Sequence, residues 1–236
     1  MTAYTVDLHN HTPFVFSDYR EPKASPADLI AAAFAARIDI LGVTDHYSLG
    51  WWDQMYTAAE VHSSYDGQRL IVLPGAELKV TWGDDEVHLV ALFEPEVAVL
   101  QFAALTSWLG VASELDDTQR LPYVKAERDP VRVVEQAREI GASCHVAHVD
   151  RRFGEYTLLG TPLFDRLLAE APLAAVEVLS PDSAEEIRAK APDMTFIRSS
   201  DAHSPAEIGR RTTQLDLDDA TFEAIRDALF GSRLTR

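Results

Sequence analysis

Short apolar runs alternate along this chain with longer stretches of helical spacing. YTVDLHNH (4–11), IDILGVTDH (38–46), RLIVLPGAEL (69–78), EVHLVALF (86–93), ASCHVAHV (142–149), AAVEVLS (174–180) and MTFIRSSDAH (194–203) read as strands. Several of them end in a cluster of polar residues. The stretch 25–37 reads as a helix, because Ser25 suits an N-cap, Pro26 the first helical position and Asp28 the first turn. Further helices are expected over 51–65, 95–117, 161–171, 181–191 and 219–230, and over 130–141, opened by Pro130 and closed by Gly141. Residues 82–85 (WGDD) suit a turn, 116–130 a surface loop and 210–217 a last strand. Strands alternating with helices imply a parallel sheet. About seven such units without a dinucleotide-binding glycine fingerprint favour a closed barrel over an open sheet. The chain shows no repeat or linker, so one domain over 1–236 is expected.

Composition narrows the possibilities. Hydrophobic residues make up 47% of the 236 positions and charged residues 25%, which excludes disorder and a fibrous repeat. The single cysteine, Cys144, rules out an internal disulfide framework and a four-cysteine zinc site, and fits a cytoplasmic location. The N-terminus carries charge and histidine early, unlike a signal peptide. No apolar run approaches the roughly 20 residues of a membrane span, so no membrane partner is expected. The net charge of −17 repels nucleic acid and anionic membranes. An anionic substrate therefore needs a local positive site, and bound cations can supply it.

The strand ends carry the candidate chemistry: Asp7, His9 and His11; Asp45 and His46; Glu77; His88; His148 and Asp150; Asp201 and His203. In βα barrels that rim is where active sites are built. His9 and His11 are two residues apart, so an extended segment points both the same way, and Asp201 and His203 repeat that spacing. Imidazole and carboxylate suit zinc, manganese or iron, and Glu77 can bridge two ions. Each residue alone has an ordinary structural explanation. Burying five such strand ends together without cations, however, costs several kcal/mol per group. His145 is read as facing the helices or lying just beneath the site, because it sits three residues before His148 on a strand. Cys144 is read as core and His62 as surface.

In this order the stretches DLHNHT (7–12), SD (17–18), GVTDH (42–46), PGAE (74–77), HLVALF (88–93), AH (147–148) and SDAH (200–203) resemble the PHP (polymerase and histidinol phosphatase) superfamily of metal-dependent phosphoesterases. The resemblance implies a distorted (β/α)7 barrel and two to three divalent ions (Zn, Mn or Fe). One ion falls to His9, His11, Glu77 and Asp201, a second to Glu77, His88 and His148, and a third to Asp18, His46 and His203. It implies hydrolysis of a phosphomonoester or nucleotide by a metal-bridging hydroxide, with Glu77, His46 and His203 in catalytic roles. The family's usual AHP is AHVD here, which changes the loop after the ligand. The C-terminal half is similar to PHP modules of ATPase-containing proteins, so an ATPase partner is one expectation. Two alternatives are a 5′–3′ exonuclease on short oligonucleotides and a non-catalytic module of a larger assembly. Arg151, Arg152, Arg20, Arg210 and the adjacent Arg211 are candidates for gripping phosphate, or else solvated surface residues. Tyr47, Trp51 and Trp52 suit either stacking on a base or packing in a lid.

Overall fold

A computed structural model describes residues 1–15, 18–66, 68–115, 118–152 and 157–231. The strands are β1 (Thr2–Asp7), β2 (Ile40–Val43), β3 (Ile71–Trp82), β4 (Asp85–Leu92), β5 (Ala126–Glu127), β6 (Ser143–Val146), β7 (Val176–Glu177), β8 (Phe196–Ile197) and β9 (Thr213–Leu217). The longer helices are α1 (Pro26–Ala35), α2 (Trp52–Asp66), α3 (Ala98–Leu109), α4 (Pro130–Glu139), α5 (Pro162–Glu170), α6 (Pro181–Lys190) and α7 (Phe222–Phe230).

One cap chemistry starts most of the helices. Ser25, Asp129, Thr161 and Ser180 accept a backbone N–H of the first turn, and each is followed by proline. The fixed φ of proline and its missing donor suit that position. Ser25 and Asp28 close a reciprocal capping box. The helix expected over 95–117 ends sooner, because Gly110 adopts a left-handed φ of 80° after Leu109. Part of the expected 116–130 loop is ordered as a short turn at Leu121–Tyr123, followed by β5; residues 116–117 lie outside the described residues.

The strands run in the order β8-β7-β6-β4-β3-β2-β1-β9, with β5 attached to β3, and form a nearly closed, distorted α/β barrel. The sheet is not uniformly parallel. β3 and β4 join through a tight turn instead of a helix, so β4 lies antiparallel to both β3 and β6. That reversal places the start of β4, with His88, at the same rim as the ends of the parallel strands. The barrel closes through backbone beyond the strands: Asp201 N–H donates to His9 O (2.8 Å) and His11 N–H to Ala202 O (3.0 Å). Chain segments nearly 200 residues apart therefore meet at the rim.

Val6, Leu8, Ile40, Leu73, Val90, Leu92 and Ile197 form one apolar cluster with β9 and α7, which seal the end away from the rim. α1 and α2 cover one outer flank, and α3 to α6 cover another. No described helix is long and apolar enough to cross a membrane.

Candidate metal centre

β1 ends at Asp7, where two backbone amides, Ser200 N–H (2.8 Å) and Gly209 N–H (3.0 Å), donate to its carboxylate. Burial pushes the Asp7 carboxyl up to about 6 despite these bonds. Asp7 thus anchors the 200–209 segment, and His9 and His11 follow it, both buried at the rim. Asp45, also buried, accepts from the Thr12 N–H (2.7 Å) and hydroxyl (2.6 Å), tying the β2 end to the β1 end. These two carboxylates brace the rim.

Glu77 is the centre of the site and is fully buried. One oxygen lies 3.0 Å from His46 Nδ1, 3.3 Å from His11 Nε2 and 3.6 Å from His9 Nε2. The other lies 2.6 Å from His88 Nδ1 and 3.4 Å from His148 Nε2. Burial alone would raise the Glu77 carboxyl; His46, His88 and His9 outweigh it and hold the group well below its usual range. Burial likewise opposes charge on Asp201, and His11 and His9 outweigh it. Asp18 is drawn down, against its burial, by His203 at 3.2 Å and His46 at 2.9 Å. In the other direction, burial opposes charge on His9, but Glu177, Glu77 and Asp201 raise its pKa well above the ordinary value.

Three groups of side chains can each offer ligand atoms to one ion, all within 4.8 Å of one another: His9, His11 and Glu77; Glu77, His88 and His148; His11, Asp18, His46 and His203. Asp201 borders the first, 3.6 Å from His9 and 3.3 Å from His11. The donor chemistry fits a divalent cation. His9 Nε2, both His11 ring nitrogens and His46 Nδ1 are buried without a hydrogen bond, although they converge on carboxylates. A cation between nitrogen and oxygen satisfies both. The rim backbone is also strained: Tyr47, His148 and Asp201 have positive φ (46°, 29° and 48°), a conformation that costs non-glycine residues energy and collects at functional sites.

The structure brings together all nine residues expected as ligands. The arginines differ in placement. Arg151 pairs with Asp201 and is 39% exposed, and Arg20 pairs with Glu207 at 2.9 Å and is 62% exposed. Arg210 is turned to the backbone, donating to Ser200 O (2.8 Å) and Asp201 O (3.4 Å). Arg152 is exposed, while the Arg211 carbonyl accepts from the Ser200 hydroxyl. Tyr47 is not a stacking platform: it is buried, with its hydroxyl donating to Lys79 O (2.5 Å) and accepting from Ala126 N–H (3.1 Å). Trp52 donates to Val72 O, and both Trp51 and Trp52 pack on the α1–α2 flank. Asp150 accepts from the Leu179 and Ser180 amides and so braces the next strand end. His62 stacks on Phe34 of α1.

Of the two placements expected for His145, facing the helices or just beneath the site, the structure shows the second. β6 stops at Val146 and His148 is left-handed, so counting from one to the other fails. His145 is fully buried beneath the site, 3.9 Å from Glu177, and burial depresses its pKa to about 4. Cys144 belongs instead to the outer core beside Val146, and burial raises its thiol to about 12. Glu177 itself was not among the sequence candidates. Its signal was a lone carboxylate inside the apolar run AAVEVL, a rare pattern unless the charge has a partner.

The PHP domain family model matches residues 7–175 and the PHP-associated model residues 185–231. The chain belongs to the PHP family. Among curated proteins it is similar to the 5′–3′ exoribonuclease Rnm of Salmonella typhimurium, 31% identical over 93 residues, 39% of this chain and 29% of that protein. Among solved structures it resembles the lesion-specific endonuclease of Pyrococcus furiosus (TM-score 0.69, 19% identity, 98% of this chain and 56% of that one). It also resembles a proposed metal-dependent phosphoesterase of Bifidobacterium adolescentis (TM-score 0.63, 18% identity, 98% of each chain). The chain thus spans less than a third of the exoribonuclease and just over half of the endonuclease. At these identities the structural likenesses establish the fold. None of these relatives supports an ATPase partner.

Proposed function

We propose that the protein is a metal-dependent phosphoesterase that hydrolyses a phosphomonoester or nucleotide. The observation that carries this reading is Glu77, a buried carboxylate shared by five imidazoles, several of whose nitrogens lack a hydrogen bond. His9, His11, Glu77 and Asp201 would hold one divalent ion, Glu77, His88 and His148 a second, and Asp18, His46 and His203 a third. Bound divalent ions supply Lewis acidity toward phosphoryl oxygen and lower the pKa of water. They also give this acidic protein the local positive charge that a phosphate requires.

The chain's own residues do the rest. Glu77 and Asp201 fix where the imidazole nitrogens point. In the hydrolysis a water oxygen bonds to phosphorus, the ester P–O bond breaks and the leaving oxygen takes up a proton. With only the two deeper groups filled, His46 and His203, which face Asp18 at 2.9 and 3.2 Å, would be the proton donors to the leaving oxygen. Arg151, paired with Asp201 and 39% exposed, would fork onto phosphoryl oxygens; Arg20 and Arg152 are more exposed.

A second reading, a 5′–3′ exonuclease acting on short single strands, is supported by the likeness to the exoribonuclease over 93 residues. Phosphate release from a panel of phosphomonoesters and nucleotides, run beside digestion of a 5′-labelled oligonucleotide with added manganese or zinc, separates the two. Turnover only of the oligonucleotide favours the second reading. Inert, metal-free protein favours a non-catalytic module.

A further inference from the structure

Glu177 sits at the end of β7, one layer below the candidate ligands, and is fully buried. Its backbone is fixed from both sides, since it pairs with Ile197 of β8 and its carbonyl accepts Val149 N–H at 3.0 Å. Its carboxylate reaches two residues of the rim at once. Oε2 lies 3.1 Å from His9 Nδ1, and Oε1 accepts the His148 backbone N–H at 3.1 Å. His9 and His148 stand on different strand ends and stack with ring centroids 5.6 Å apart.

We propose that Glu177 is a positioning residue for the metal centre: it holds His9 as the Nδ1–H tautomer, with Nε2 facing Glu77 and Asp201, and fixes the His148 backbone in its left-handed conformation. This inference rests on the metal-binding reading of the site. Three observations support it. His9 Nε2 is buried without a hydrogen bond, which is how a ligand atom looks when the other ring nitrogen is the one engaged. A φ of 29° at His148 persists only where surrounding structure enforces it, and the Glu177 bond is made by the amide of that same residue. Below Glu177 lies His145, a fully buried imidazole with Nε2 at 3.9 Å, so the carboxylate is enclosed by imidazoles from above and beneath. Carboxylates that take the second ring proton of a ligating histidine fix its orientation and raise its basicity, and losing one typically lowers metal affinity about 10- to 100-fold.

The selectivity of the effect distinguishes positioning from general stability. Glu177 touches His9 and His148, which serve the two deeper groups. It does not touch the Asp18–His46–His203 group. Zinc binding is measured on the full chain by equilibrium against a graded series of zinc buffers, for wild type and Glu177→Gln, which keeps the side chain's shape. Expected is a roughly 10- to 100-fold weaker affinity for the ions of the deeper groups, with affinity at the outer group unchanged. Equal weakening of all sites, or no change in any, overturns the proposal. Wild-type protein that binds no zinc overturns the metal reading itself, a different outcome. Should Glu177→Gln fail to fold, the imidazole nitrogen spectrum of zinc-loaded wild type decides: His9 must carry its proton on Nδ1, and zinc on Nδ1 overturns the proposal.

Discussion

Replacing Gly42 with alanine tests how closely barrel geometry and site geometry are joined. Gly42 lies in β2 against the end of β1, where a Cβ would stand 2.5 Å from the Leu8 carbonyl oxygen and 2.8 Å from its carbon. Normal contact requires about an ångström of extra separation. The obstacle is backbone, which no rotamer change can relieve. Bonds across the same pair, Thr44 N–H to Asn10 O (2.8 Å) and Asn10 Nδ2 to Gly42 O (3.4 Å), resist the movement. Overpacking of this kind costs about 1–3 kcal/mol, and a clash with backbone belongs near the top of that range. The alanine restricts the unfolded chain and recovers about 0.4–1 kcal/mol. The net loss of about 2 kcal/mol lowers Tm by roughly 4–8 °C in a domain of this size. Leu8 directly precedes His9, so divalent-ion affinity falls as well. Gly83→Ala is the control. It meets nothing within 4 Å and lies in the β3–β4 turn, so its left-handed φ of 63° costs stability without weakening metal binding. A Gly42→Ala protein with the Tm and zinc affinity of wild type refutes the reasoning.

Other perturbations probe separate parts of the molecule. Asp129 caps α4 and forks onto Arg166 of α5 at 2.7 and 3.0 Å, and Asp129→Ala removes about 1 kcal/mol through the lost cap, read by urea unfolding at pH 7. Arg166 holds the Asp129 carboxyl below its usual range, so this contribution is complete above the unfolded carboxylate pKa and fades as pH falls below about 4; the wild-type-to-variant gap should close there. Cys144, with its thiol pushed up to about 12, should resist a thiol reagent at pH 8 in the folded protein and react once denatured; fast labelling of the native state contradicts its core placement. Arg151→Ala should lower kcat/KM on a phosphoester by roughly 10- to 150-fold, the worth of about 1.5–3 kcal/mol in a charge-assisted hydrogen bond, while leaving zinc content intact. An unchanged kcat/KM removes Arg151 from the phosphate site.

Most of the residues that the structure gathers around Glu77 were legible in the sequence because a barrel rim concentrates polar residues at strand ends, whereas Asp18 was indicated only by the family resemblance. His9, His46, Glu77, His148 and Asp201 each fall at or near the end of a segment expected as a strand. The helix starts were legible for a local reason, since a capping side chain followed by proline acts within one turn. What escaped was how the segments sit against one another, even where, as at 82–85, the turn itself was read. The reversal of β4 follows from the short turn after Trp82, and it is this reversal that carries His88 to the rim. Strand alternation did not decide between the two placements of His145, because the chain leaves extended geometry between Val146 and His148. β7 and β8 are only two residues long, and hydrogen bonds from side chains and bridging backbone replace regular pairing beyond them, so the apolar runs 174–180 and 194–203 overstate the strands. Glu177 was missed because the pull of an apolar run hides a single charge whose partners, His9 and His148, come from other strands.

Whether the cluster around Glu77 holds divalent cations is decided by metal analysis of wild type and Glu77→Gln, dialysed side by side against zinc or manganese and then freed of loose ions, with thermal unfolding read before and after chelation. Expected are two or more ions per wild-type chain. A free metal concentration 100 times Kd then stabilises the fold by about 2.7 kcal/mol for each such site, a gain that chelator abolishes. The Glu77→Gln chain should lose most of both. Wild-type protein that carries no divalent ion and melts at the same temperature with metal or chelator contradicts the assignment.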